Sequence, residues 1–99
     1  MLRVDLDVAA ERELEEAFDW YEARTPGAGV ELLEEFRQGI HLIQGYPSAW
    51  PKSLWGTRRI LLQRYPYAIV YLILDQSVRI VAVMHLSRRP GYWRRRLDE

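Results

Sequence analysis

Cysteine is absent from the 99 residues. That excludes disulfides and thiolate metal sites, and it fits a cytoplasmic protein. Histidine is scarce, with only His41 and His85, and His41 stands alone on a helical stretch with no second histidine to share a metal. No apolar run reaches the roughly 18 residues that a membrane span requires, so no membrane partner is expected. Met1 to Asp7 has neither a basic start nor an apolar stretch, so no secretory signal is expected there. No Walker loop, dinucleotide-binding glycine fingerprint, zinc-ligand spacing or glycine-flanked serine occurs. Ser48, Ser53, Ser77 and Ser87 have no nucleophile context. Classical hydrolase chemistry therefore lacks support, and neither a cofactor nor a metal is implied.

What is present is an apolar fraction of 48%, a globular composition that suits one domain over residues 1–99. The formal net charge of zero hides a segregation. Residues 1–49 hold 4 basic and 11 acidic side chains, and residues 50–99 hold 10 basic and 3 acidic. The halves can neutralise each other on folding, or leave one face that attracts anions.

The chain opens with a strand pattern, Leu2, Val4 and Leu6 alternating with Arg3, Asp5 and Asp7. Asp7 stands where an N-cap is wanted. From Val8 to Arg24, Ala10, Leu14, Ala17, Phe18 and Tyr21 recur at helical spacing, with the acids forming an outer face. Pro26 and Gly27 break this helix. A second helix follows, with Val30, Leu33, Phe36, Ile40 and Ile43 read as its inward stripe, and it ends at Gly45 and Pro47. Gly39 within it implies close packing, because glycine otherwise costs a helix about 1 kcal/mol. A loop whose Trp50 and Trp55 are expected to anchor it to the core edge precedes three strands, "RRILLQR", "YAIVYLIL" and "VRIVAVMH". The expected fold is a two-layer α+β domain. An N-terminal strand and a helical hairpin precede an antiparallel three-stranded meander that completes a four-stranded sheet. Residues 90–97 form either a helix or an extended cover.

The central strands are apolar on both faces. Ala68, Val70, Leu72 and Leu74 oppose Tyr67, Ile69, Tyr71 and Ile73, and Val78, Ile80, Ala82 and Met84 oppose Arg79, Val81, Val83 and His85. Two helices cover one face only. The other needs the C-terminal Tyr92 and Trp93, or another chain.

Chemistry-bearing residues converge on the basic half: Arg58, Arg59 and Arg64, then Arg79 and His85, then Arg88, Arg89, Tyr92, Arg94, Arg95 and Arg96. Arginine forks match phosphate, aromatic rings stack on bases, and histidine titrates near neutrality. His85, Arg88 and Tyr92 could supply the base, the cation and the acid of a metal-free RNA cleavage. The alternative is packing and solvation.

The order of "ELEEAFDWYEARTPGAGVELLEEF" and "RRILLQRYPYAIVYLILDQSVRIVAVMHLSRRPGYW" resembles the RelE/ParE superfamily of bacterial toxins, and within it the ParE-like, plasmid-stabilisation branch. The resemblance rests on Trp20-Tyr21 before "PG", on "RYPYAIVY", and on His85, Arg88, Pro90, Tyr92 and Trp93. It implies the toxin of a type II toxin–antitoxin pair, with the first strand beside the last and a small antitoxin whose flexible C-terminal segment wraps the sheet. Tyr71, Val81, Val83 and Trp93 are the expected antitoxin contacts. Arg58, Arg59, Arg64 and Arg89 are the expected target or nucleic-acid contacts. RelE-like members cut mRNA in the ribosomal A site, and ParE-like members inhibit DNA gyrase. RelE-like nucleases carry cations along strand two and in the next strand, where this chain offers Arg59 and then Ala68. That departure favours the ParE-like reading, with His85, Arg88 and Tyr92 catalytic only if the protein is a ribonuclease, and with a non-toxic antitoxin-binding module as a further alternative. A homodimer and a toxin–antitoxin hetero-oligomer both remain compatible with the sequence.

Overall fold

The computed structural model describes residues 1–98. The chain runs β1 (Arg3–Leu6), α1 (Val8–Arg24), α2 (Ala28–Gly45), β2 (Arg58–Leu61), β3 (Tyr67–Ile73) and β4 (Ser77–His85), and a 3-10 turn over Arg94–Asp98 closes it. The sheet order is β1-β4-β3-β2, with β1 parallel to β4 and the other pairs antiparallel. The first strand thus lies beside the last. The two helices cover one face, where Ala10, Ile43, Ile60, Ile69, Tyr71, Val78, Ile80 and Val83 form the main core.

Two local rules fix the helices. Glu22, near the end of α1, accepts the backbone N–H groups of Gly27 (2.8 Å) and Gly29 (2.9 Å), two of the orphan donors at the start of α2. Those backbone bonds, the Gly27 one first, hold the Glu22 carboxyl below its ordinary pKa. Gly27 itself sits at φ 92, a left-handed turn that favours glycine. Asp7 occupies the N-cap position of α1 but makes no capping bond. Its carboxylate instead accepts Arg79 Nε at 2.9 Å and Nη2 at 2.8 Å, a bidentate pair joining the start of α1 to β4.

Three expectations need correction. Phe36, Ile40 and Ile43 pack inward from α2 as expected, joined by Gly29, Leu32 and Gly39, whereas Val30 and Leu33 are exposed. Gly29 and Gly39 are where the backbone itself makes the close approach, so a stripe read from large apolar residues falls out of phase at the start of the helix. On β4, Val70 pairs with Ala82 while Tyr71 pairs with Ile80, leaving Val81 as the extra residue of a bulge. The bulge reverses the alternation. Val78, Ile80 and Val83 therefore face the helices, and Val81, Ala82 and Met84 face away. Finally, Trp55 is half exposed rather than anchored in the core, whereas Trp50 does pack at the core edge.

The second face carries its own small core. Ala68, Val70, Val81, Ala82 and Met84 are capped by Trp93, with Tyr92 and Leu97 at its margin. The chain's own C-terminal segment is therefore the cover. Removing one tryptophan ring from water contributes up to about 5 kcal/mol.

A Cβ on Gly29 would lie 2.8 Å from the Phe18 carbonyl oxygen, and one on Gly39 would lie 2.7 Å from Ile69 Cδ1. A backbone oxygen cannot step aside, but a terminal methyl can. Gly29→Ala is expected to cost about 2 kcal/mol. Gly39→Ala should fall near neutral, because the helix propensity of alanine offsets the clash by about 1 kcal/mol. Urea denaturation of the two variants tests that order.

Candidate functional site

The C-terminal segment is held by one carboxylate. Glu13 points from α1 across the outer edge of β4, beyond the point where β1 stops pairing. Its Oε1 accepts the Val83 backbone N–H at 3.0 Å and Arg96 Nη1 at 2.9 Å. Its Oε2 accepts the Tyr92 hydroxyl at 2.6 Å and Arg96 Nη2 at 3.0 Å, with Arg88 Nη1 at 3.6 Å. Arg96 Nη1 also donates to the Val81 carbonyl at 3.0 Å. Glu13 and Arg96 thus supply the acceptor and donor that a neighbouring strand would give to β4. The Arg88 guanidinium stacks 3.6 Å from the centroid of the Tyr92 ring. The bond to Glu13 is the leading cause of an Arg96 pKa above its ordinary value. Burial, then the bond to Glu13, raises that of the Tyr92 hydroxyl.

His85 lies at the end of β4, edge-on to Tyr67 at 5.0 Å. Its Nδ1 accepts the Ser87 backbone N–H at 3.0 Å and lies 2.8 Å from Ser87 Oγ. A backbone N–H can only donate, so in the neutral ring Nε2 carries the proton. His85 can then donate a hydrogen bond outward but has no free lone pair for a base. It borders a cleft of about 460 Å³ shared with Glu16, Trp20, Tyr21, Val83 and Arg88.

The arginines do not form one constellation. Arg58 turns inward and donates to the Trp50 carbonyl at 2.5 Å. Arg64 pairs with Glu31 at 2.7 Å, on the α2 side of the molecule. Arg79 is held by Asp7 and also donates to the Arg96 carbonyl. Arg94 pairs with Asp98 at 3.1 Å. Arg59, Arg89 and Arg95 are exposed. Among the described residues no carboxylate pairs with any of the three. Among the expected antitoxin contacts, Tyr71 and Val81 are fully buried, Val83 borders the cleft beside His85, and Trp93 lines a second cavity on the far face. No group of ligating side chains able to hold a metal occurs among the described residues.

Sequence reasoning missed Glu13, which it did not single out from the acids of α1. One signal was available. Glu13 lies a single position from Leu14 and four from Ala17, on the flank of the apolar stripe rather than opposite it.

The family model for the ParE toxin of type II toxin–antitoxin systems, parDE, matches residues 4–90. The chain belongs to the ParE toxin family. A chain of the solved "Chromosomal ParDE TA system from P. aeruginosa" shares its fold, with a TM-score of 0.76 at 16% identity, over 88% of this chain and 98% of that one. A search of curated proteins returned no match. Within the ParE toxin fold, the family match stops at residue 90, just before the segment that Glu13 holds. No helix among the described residues is long and apolar enough to cross a membrane.

Two outcomes are expected. Glu13→Ala strands Arg96 and should cost about 3 kcal/mol, with Trp93 emission shifting to the red as the segment lifts. Denaturation followed by fluorescence measures both. The alkaline limit follows from Tyr92. Its folded pKa is raised, so its contribution to stability is complete below the unfolded value of about 10 and is lost as pH rises beyond it. Tyr92→Phe should flatten the fall in stability above pH ~10 in a pH series of melting temperatures.

Proposed function

We propose that this protein is a toxin that arrests growth by binding a cellular target, with DNA gyrase the first target to test, and that an antitoxin peptide neutralises it. Family membership supports the toxin role. The observation that favours binding over RNA cleavage is the state of the three candidate catalytic groups. The acceptor nitrogen of His85 is taken by Ser87, the Tyr92 hydroxyl is taken by Glu13, and the Arg88 guanidinium lies over Tyr92. Each is spent on holding the structure. Ala68, at the position where a RelE-like nuclease carries a cation, is fully buried and offers phosphate nothing. Arg59 and Arg89, both exposed, remain our proposed target contacts. Arg58 and Arg64, expected beside them, hold the loop and α2.

The antitoxin is proposed to meet the cleft along the outer edge of β4, where Val83 lies beside His85, Trp20 and Tyr21. An extended segment there would meet a strand edge partly satisfied by side chains. Tyr71, in the core under the helices, and Val81, in the core of the second face, are fully buried and out of the partner's reach, and Trp93 would join the contact only once its segment lifts.

The test is regulated expression in a bacterium, scoring plasmid topology, chromosome breaks and transcript integrity side by side. Growth arrest with disturbed DNA topology and intact transcripts is the expected result, unchanged in His85→Ala. Transcripts cut in the ribosome, with cutting lost in His85→Ala and Tyr92→Phe, would replace binding with ribonuclease action. Normal growth would leave only a non-toxic antitoxin-binding role.

A further inference from the structure

The second face of the sheet carries a cavity distinct from the cleft proposed for the antitoxin. It lies between the loop around Leu54, the surface of β2, β3 and β4, and the turn at Pro90–Trp93, with a volume of about 260 Å³. Val70 and Met84 form its floor, and Leu54, Gly91 and Trp93 form its walls. One cation enters it. Arg59 pairs with Val70 across β2 and β3, so it rises from the same face, and it lines the cavity without a carboxylate partner among the described residues.

The wall is preformed and strained. Trp55, beside Leu54, holds φ 53, the one non-glycine residue in the left-handed region among those described. Such strain persists only where the surroundings impose it, and it gathers at binding sites. Here the surroundings are named. Trp93 meets Trp55 edge-on at 5.6 Å, and Arg94 lies 5.2 Å over its ring. Gly91 at φ 86 passes so close that a Cβ would lie 3.0 Å from the indole. Trp93 Nε1, in the wall, is buried with no acceptor, an omission that costs about 1–3 kcal/mol.

Apolar walls with a single free guanidinium suit a monoanion on an apolar body. A carboxylate satisfies one arginine fork in bidentate fashion, whereas a nucleic-acid backbone is gripped by several cations at once. The volume lies below the range of roughly 300–1,000 Å³ that holds a cofactor or drug-sized ligand, so one side chain with its carboxylate fills it. We propose that this cavity binds a carboxylate adjoining a large apolar side chain, presented by a partner polypeptide, with Arg59 taking the carboxylate and Leu54, Met84 and Trp93 enclosing the side chain. The same chemistry arises at a chain terminus or at an acidic residue beside an apolar one.

Titration of the full chain, followed through the indole N–H signals of its four tryptophans, tests this. The probes are N-acetyl-phenylalanine, its neutral amide, N-acetyl-aspartyl-phenylalaninamide and uridine 3′-monophosphate. Either acidic peptide should shift Trp93 and Trp55 but not Trp20, and should bind at least tenfold more tightly than the neutral amide. The better of the two identifies a terminal or an internal carboxylate. Arg59→Met should abolish the acid preference while leaving the melting temperature unchanged. The proposal fails if no peptide shifts Trp93, if Arg59→Met keeps the preference, or if the nucleotide binds more tightly than both acids. None of these readouts depends on toxicity, so they stand or fall apart from the gyrase and antitoxin assignments.

Discussion

A single carboxylate, that of Glu13, decides whether this fold is closed. It sits where β1 has ended and β4 still presents backbone groups, and it satisfies one of them while fixing Tyr92 and Arg96. The cover of the second face depends on those two anchors, because Trp93 lies between them in sequence. A charge this enclosed is tolerable only because every lone-pair direction is met by a donor. The segregated charge of the chain finds its use here. Acids of the first half serve as fixed counterions to the arginines of the second: Asp7 for Arg79, Glu13 for Arg96, Glu31 for Arg64.

The same bonds occupy the histidine, the tyrosine and two of the arginines of the basic tail. Catalytic groups need a free lone pair or a proton to give at the right place. The Ser87 N–H occupies the Nδ1 lone pair of His85, leaving Nε2–H to donate, and the Tyr92 hydroxyl donates to the Glu13 carboxylate. What remains on the surface is a binding chemistry of clefts, exposed aromatic rings such as Trp20 and Trp55, and exposed arginines such as Arg59 and Arg89 with no carboxylate partner among the described residues. That profile suits a member of the ParE toxin family.

Much of the fold could be read from residues alone. Period-two and helical patterns located every strand and both helices, and the two-faced apolarity of β3 and β4 called for a cover, from the C-terminal segment or another chain, which the C-terminal segment supplies. The errors share a physical origin. Helix α2 turns its glycines inward because its backbone approaches Phe18 and Ile69, and no hydrophobicity pattern marks a residue that packs by having no side chain. The bulge at Val81 inserts one residue, which inverts every later position on β4. The arginines looked like one cluster because they are close in sequence or strand order, but Arg64, Arg79 and Arg96 pair with acids in the other half of the chain, and such pairings appear only in three dimensions. Glu13 was hidden for the same reason, since its ligands come 70 to 83 residues later.

Those long spans carry a consequence for how the molecule assembles. The helical hairpin and the β2–β4 meander each close over short stretches of chain and can form early. The parallel strand β1, the Asp7–Arg79 pair and the Glu13–Arg96 pair each join residues more than 70 positions apart. Contacts so distant in sequence require the chain entropy to be surrendered before any reward arrives, which slows folding. Until the terminal arginine segment docks onto α1, the apolar second face, with an unguarded stretch of strand edge, is bare to whatever polypeptide is nearby.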